Sequence, residues 1–344
     1  MKDTSVGYYF LVMASVVIVL AGVKSASAIV VPFLLSLFLS IILSPLYNFF
    51  RKKNVPDWLS LTLVITSFIV LLLLVAKLIG SSAQEFSSNI DLYTQKLGVY
   101  YKYIKDFGDS IGIEIPIDEL SGMINAKQIM GFSTGLLQSL SAMFTNGFVI
   151  LLTVVFMLLE SGNFVRKIEF ASEKNGIINH IESISSKIKE YMVLKAIISF
   201  FTGLIVWIAL SVIGTDYAFL WAVLAFMLNF IPNIGSIIAA VPAVFITLVQ
   251  LGAFSSFVVA LVYILVNIVM GSIVEPKVMG KGLGLSTLVV FLSLLFWGWL
   301  LGMVGMLLSI PLTIMAKIVL DADENTKWIA VLLGSGENIP KSNK

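Results

Sequence analysis

Cysteine is absent from the chain, and histidine occurs once, at His180. The first absence excludes a disulfide framework, an iron–sulfur cluster and a thiolate zinc site. The second excludes a multi-histidine metal centre. Charge is also scarce. Asp, Glu, Lys and Arg make up 12% of the 344 residues, about half the share usual in a soluble domain, which is about 25%. Net charge is +2, too small to capture an anionic polymer. No Gly-x-x-x-x-Gly-Lys-Ser/Thr loop and no His-Glu-x-x-His pair occurs, so nucleotide hydrolysis and metalloproteolysis by those routes are excluded. The chain is not expected to be an enzyme, to hold a metal or cofactor, or to bind nucleic acid.

Apolar sequence fills the space. The hydrophobic share is 58% and the mean hydropathy is +1.01. Uncharged stretches run over Thr4–Val23, Ser25–Phe50, Trp58–Ala76, Gln128–Leu159, Ala196–Thr215, Tyr217–Val274 and Gly282–Ala316. A bilayer span needs about 20 apolar residues, so the lipid bilayer is the first partner implied. The runs are continuous rather than alternating over roughly ten residues, which favours helices over a β-barrel. The expected fold is all-α: a polytopic membrane protein with about eight spanning or hairpin helices. Lys2, Tyr8–Val23 and Ala26–Ser27–Ala28 imitate a cleavable leader. A second apolar run follows at once, so this region reads as a retained hairpin, about 7–23 and 28–46.

The longest run holds Pro232, Pro242 and Gly252. It divides at 229–235 and again at 251–253, giving short helices over about 217–231 and 236–251 and a full span over about 254–274. Gly282–Ala316 divides near Gly302–Gly305. Broken helices at membrane depth need cover from protein or water, a pattern found in transport pathways. Two amphipathic stretches leave the hydrocarbon. The first carries a stripe of Phe86, Ile90, Tyr93, Leu97, Tyr100, Ile104 and Phe107. The second carries Ile177, Ile181, Ile184, Ile188 and Tyr191. Basic residues at Arg51–Lys53, Arg166–Lys167, Lys277 and Lys281 place their loops, and both termini, on the cytoplasmic side. The resulting division is 1–80, N-terminal spans; 81–145, an extracytoplasmic helical excursion; 146–162, one span; 163–195, a cytoplasmic amphipathic helix; 196–320, a transport core; and 321–344, a tail.

Polar groups within apolar helices are the candidate site. Glu160 and Glu275 adjoin span ends, and Asn229, Asn233, Gln250 and Asn267 lie deeper. With Pro232 and Gly235 at the break, these residues form the expected solute pathway. They suit a neutral, hydroxylated small molecule better than a strongly charged one. Gly298 and Gly302 form a Gly-x-x-x-Gly helix-packing pair, and the two amphipathic stripes offer further surface for a homo-oligomer.

The chain resembles the autoinducer-2 exporter family of bacterial permeases. The resemblance rests on Ile231–Ser236, Glu275–Gly280, Gly282–Val290, Phe296–Gly302 and Pro311–Thr313, with Leu152–Glu160 upstream. It covers essentially the whole chain and is most specific in the C-terminal half. The resemblance implies a multi-pass protein of the bacterial inner (cytoplasmic) membrane. It also implies export of autoinducer-2, a small polyhydroxylated quorum-sensing signal, with effects on quorum sensing and biofilm formation. Without an ATP motif, the mechanism is expected to be secondary transport or facilitated diffusion. A homo-oligomer, and specifically a pentamer, comes from the resemblance alone. A sodium–proton antiporter is the alternative within transport, and a non-transporting membrane scaffold is the alternative outside it.

Overall fold

A computed structural model describes residues 6–112, 131–136, 138, 147–171, 175–232, 234–279 and 285–335. The regular elements among them are helices. They are α1 (Val6–Ser25), α2 (Ser27–Lys52), α3 (Asp57–Ser88), α4 (Ile90–Ser110), α5 (Gly147–Ala171), α6 (Asn175–Ile213), α7 (Ala218–Leu228), α8 (Gly235–Leu251) and α9 (Ala253–Val266). A π-helix (Asn267–Val274) follows, then α10 (Glu275–Met279), α11 (Thr287–Leu307), α12 (Ser309–Asp321) and α13 (Lys327–Leu332). Five apolar helical stretches are long enough to cross a bilayer: Ser27–Lys52, Asp57–Phe86, Ser186–Ile213, Ala253–Val278 and Thr287–Leu307. The protein is therefore an all-α, multi-pass membrane protein. Phe148, Val212 and Phe254 are 77%, 83% and 80% exposed. Exposure of that kind is a liability in water and ordinary against lipid tails.

The chain forms two compact units. The first comprises Met1–Ile65, Asn146–Val193 and Lys281–Lys344. Its centre is α2 packed on α5, around buried Tyr47, Val64, Ile150, Val154 and Leu158. Helix α2 keeps Pro32 and Pro45 within it. The buried Ser36 hydroxyl lies 2.7 Å from the Pro32 carbonyl and 3.2 Å from that of Ile150, tying α2 to α5. The turn into α3 has Asn54 at φ 60°, and Arg51 reaches across it to Asp57 at 2.7 Å. In the same unit, α11 is bent sharply at Gly302, whose φ is 67° and ψ −149°. The Gly-x-x-x-Gly spacing is therefore not read along one continuous helix. A side chain on Gly298 would meet Met306 at 2.7 Å, and one on Gly305 would meet the Trp297 carbonyl at 1.9 Å. Nothing approaches Gly302 within 4 Å. Close packing falls on Gly298 and Gly305, and Gly302 supplies the left-handed turn between them.

The second unit comprises Thr66–Thr145 and Leu194–Gly280. The short helices expected around Pro232 and Gly252 are present as α7 and α8. Gly252, at φ 92°, separates α8 from α9. Gly203 lets α7 lie close on α6, because a Cβ there would sit 2.9 Å from that of Phe226. Phe86 of α3 is fully buried, edge-on to Trp221 at 5.5 Å and to Tyr217 at 5.8 Å. The amphipathic stretches differ from expectation in extent. Helix α3 carries on past the apolar run to Ser88. Helix α5 runs on to Ala171, and helix α6 passes from the amphipathic stretch into the span without interruption. Its Ile188 and Tyr191 are buried, as are Phe86 and Tyr93 of the first stripe. Much of the second half of the expected 81–145 excursion lies outside the described residues.

Candidate transport crevice

The second unit encloses a narrow crevice lined by Thr202, Val206, Ala225, Asn229, Ser236, Tyr263, Val266 and Asn267. Its free space is about 10 Å³, room for roughly one water molecule. Four elements converge on it. Helix α6 brings Thr202 and Val206, which lie on one face with Lys195 and Ser199 by helical spacing. Helix α7 ends at Leu228, so Asn229 projects from the break that follows. Gly235 opens α8 immediately after the reversal and sets Ser236 opposite. Tyr263 and Asn267 are four residues apart, at the join of α9 and the π-helix.

Asn229 is 9% exposed and donates from Nδ2 to the Ser199 hydroxyl at 2.9 Å. Thr202 donates to the Ile198 carbonyl at 2.9 Å. The Asn267 Oδ1 lies 3.2 Å from the position a Cβ would take on Gly271, so the absent side chain at 271 leaves that amide its room. The Tyr263 hydroxyl is buried and has no hydrogen-bond partner among the described residues. The crevice thus presents amides and hydroxyls without a formal charge.

One helical turn before Ser199, Lys195 is 3% exposed and pairs with Glu275 at 2.7 Å. Its Nζ lies 2.7 Å from both carboxylate oxygens. Glu275 arrives there because the π-helix widens the turn between α9 and α10. Such wide turns recur at functional sites. Beyond the far end of α6, just over twenty residues away and so about 30 Å along the helix, a second polar cluster forms. The Asp216 backbone N–H donates to Gln250 Oε1 at 2.7 Å. Gln250 Nε2 donates to the Gly214 carbonyl at 3.0 Å and to Asp216 Oδ1 at 2.8 Å. Tyr93 of α4 donates to Asp216 Oδ2 at 2.9 Å, and Asn89 donates to the Tyr217 hydroxyl at 2.9 Å. Burial, ahead of its hydrogen bonds to Tyr217 and Asp216, pushes the Tyr93 phenol above its ordinary range. It stays a donor at neutral pH, and α4 is pinned to the α6–α7 loop. Tyr93→Phe is expected to cost about 1 kcal/mol and to raise amide exchange in α4 more than in α9, as read by hydrogen exchange.

Of the residues expected in the pathway, the structure gathers Asn229 and Asn267 in one crevice. Gly235 and Pro232 shape the reversal beside it. Gln250 is engaged in the α6–α7 loop. Glu275 pairs with Lys195, which lies about two turns along α6 from Thr202 of the crevice. Glu160 is exposed on α5, in the other unit. Asn233 lies outside the described residues. Thr202, Ser236 and Tyr263 are additional members. Thr202 carries a legible signal, because Lys195, Ser199 and Thr202 form a polar stripe along an otherwise apolar span.

Comparison with known proteins places the sequence among transporters. The sequence signature of the AI-2E family transporters matches residues 11–324. The chain is 40% identical over 325 residues to the AI-2 transport protein TqsA of Escherichia coli K12, covering 94% of each chain. It is 42% identical over 335 residues to a Haemophilus influenzae protein named as a proposed transport protein, covering 95% of this chain and 96% of that one. It is 24% identical over 313 residues to YrrI of Bacillus subtilis, which carries a similarly general name. A match of this length and identity, in a helical membrane protein with an interrupted, polar-lined second unit, makes this chain a member of the AI-2E family of transporters.

Proposed function

We propose that this protein exports autoinducer-2 across the bacterial inner membrane by facilitated diffusion or secondary transport, without catalysing a reaction. The observation that carries the reading is an uncharged crevice of amides and hydroxyls in a chain 40% identical to an AI-2 transport protein. Neutral hydrogen-bonding groups at membrane depth suit a small polyhydroxylated solute. Asn229 and Asn267 contact it, Asn233 and Gly235 shape the path, and Pro232 fixes the break. Residues 81–145 lie on the extracytoplasmic side, 163–195 and both termini lie on the cytoplasmic side, and the protein works as a homo-oligomer, with five copies suggested by the family resemblance. Lowered internal signal, and with it altered quorum sensing and biofilm formation, follows from export.

A sodium–proton antiporter would need a carboxylate free to exchange its ion. Glu275 is already bound to Lys195 at 2.7 Å, which weighs against it in that role. A scaffold would need no polar crevice. The test is release of autoinducer-2 from loaded proteoliposomes, with and without a proton gradient. Asn229→Leu and Asn233→Leu are each expected to reduce flux at least tenfold at unchanged protein level. That figure matches the loss of one good hydrogen bond to a solute in a dry site, about 1.4 kcal/mol. Flux equal to wild type in Asn229→Leu would remove the crevice from the pathway, and in Asn233→Leu would remove the helix break.

A further inference from the structure

We infer that Tyr263 is a specificity-determining residue of the crevice, its hydroxyl reserved for a hydroxyl or carbonyl group of the transported solute. The inference rests on the crevice being the solute path and adds to it the group that reads the solute. Tyr263 sits inside an apolar stretch, Ala253–Val266, where phenylalanine would pack equally well. Its side chain is 5% exposed, and its oxygen has no hydrogen-bond partner among the described residues. Two of the other polar side chains in the crevice are already engaged. Thr202 is satisfied by its own helix, and Asn229 has spent a donor on Ser199. Asn267, one turn along, is kept in place by the missing side chain at Gly271. A buried hydroxyl left without a partner is a cost to the fold. Keeping it there makes sense when a ligand supplies the partner.

This arrangement makes a prediction opposite in sign to that for a packing residue. Removing the oxygen takes an unsatisfied polar atom out of an apolar site, so the fold keeps or gains stability while recognition of solute is lost. The position also sets the ligand class. A phenol beside two carboxamides offers both donors and acceptors and no net charge, which matches vicinal hydroxyls on a small ring better than a carboxylate or an amine. The free space of about 10 Å³ means that the crevice must widen to admit such a ring. Tyr263 and Asn267 flank the start of the π-helix, the element whose irregular turn can absorb that movement.

The test uses wild type, Tyr263→Phe and Asn267→Leu in proteoliposomes, with autoinducer-2 as solute, and thermal unfolding of the same proteins. Tyr263→Phe is expected to unfold no lower than wild type. Its half-saturating concentration is expected to rise about tenfold, the effect of one lost solute hydrogen bond. A half-saturating concentration within twofold of wild type would overturn the inference. So would a fall in flux that merely tracks a loss of folded protein. Stabilisation by ribose and by xylitol is measured on all three proteins in parallel. Wild type without autoinducer-2 flux defeats the solute assignment. Equal response of wild type and Tyr263→Phe to both polyols then defeats the role of Tyr263 as well, whereas a response confined to wild type upholds it.

Discussion

Glu275→Leu is expected to destabilise the protein more than Lys195→Met, and the double variant less than either. The asymmetry comes from burial. Lys195 is 3% exposed, while the Glu275 side chain keeps 21%. Removing the carboxylate strands an ammonium that no water reaches, a loss of about 3–5 kcal/mol for a broken buried pair. Removing the lysine leaves a less enclosed carboxylate near the end of its span, Ala253–Val278, so the loss is about 1–3 kcal/mol. Replacing both with apolar residues of similar volume leaves no orphaned charge and is expected to fall within about 1 kcal/mol of wild type. Thermal unfolding in nanodiscs reads the order. Equal and additive losses would show that the two groups do not interact. The double variant is then the informative one for transport. It keeps the fold and lacks the charged pair about two turns from the crevice, so a changed flux assigns the pair to gating and an unchanged flux assigns it to structure.

The helical interruptions were legible because Pro232, Gly252 and Gly302 favour a break, although proline stays within a helix at Pro32, Pro45 and Pro242. The membrane class was legible because lipid tolerates so few charges. The pairing of polar groups was not legible in the same way. Gln250 and Asn267 look alike in sequence, each a lone amide in an apolar stretch. Their fates differ because Asp216, 34 residues from Gln250, waits at one and the narrow crevice at the other. Lys195 and Glu275 are 80 residues apart. Nothing local links them, and their meeting depends on a π-helix with no sequence signal of its own. Tyr263 was hidden for a simpler reason: one phenol among Phe, Val and Leu reads as packing until its oxygen is seen to lack a partner.

Gly235→Ala is expected to abolish folding of the second unit, for reasons of space and not of backbone torsion. A Cβ at this position would fall 1.8 Å from the Leu228 carbonyl oxygen and 2.6 Å from its carbon. Both are main-chain atoms. The same carbonyl accepts the Ile231 N–H at 2.8 Å, while the Ile231 carbonyl accepts the Gly235 N–H at 3.3 Å, so the reversal between α7 and α8 is held by its own hydrogen bonds and cannot open without losing them. The expected loss is on the order of 4 kcal/mol or more, the range reserved for overpacking against an unyielding neighbour. Gly305→Ala faces the Trp297 carbonyl at 1.9 Å and is expected to do the same to the first unit. Gly302→Ala meets no atom within 4 Å but must adopt φ 67° with ψ −149°, a combination essentially confined to glycine, at a strain of about 1–3 kcal/mol. Gly22→Ala meets neither obstacle and is expected to be neutral or slightly stabilising. Membrane protein levels and unfolding temperatures for the four variants should therefore fall into three steps. Gly235→Ala behaving like Gly22→Ala would mean that the reversal is loose enough to yield. Asn229 and Ser236, held on either side of it, would then not be fixed across the crevice.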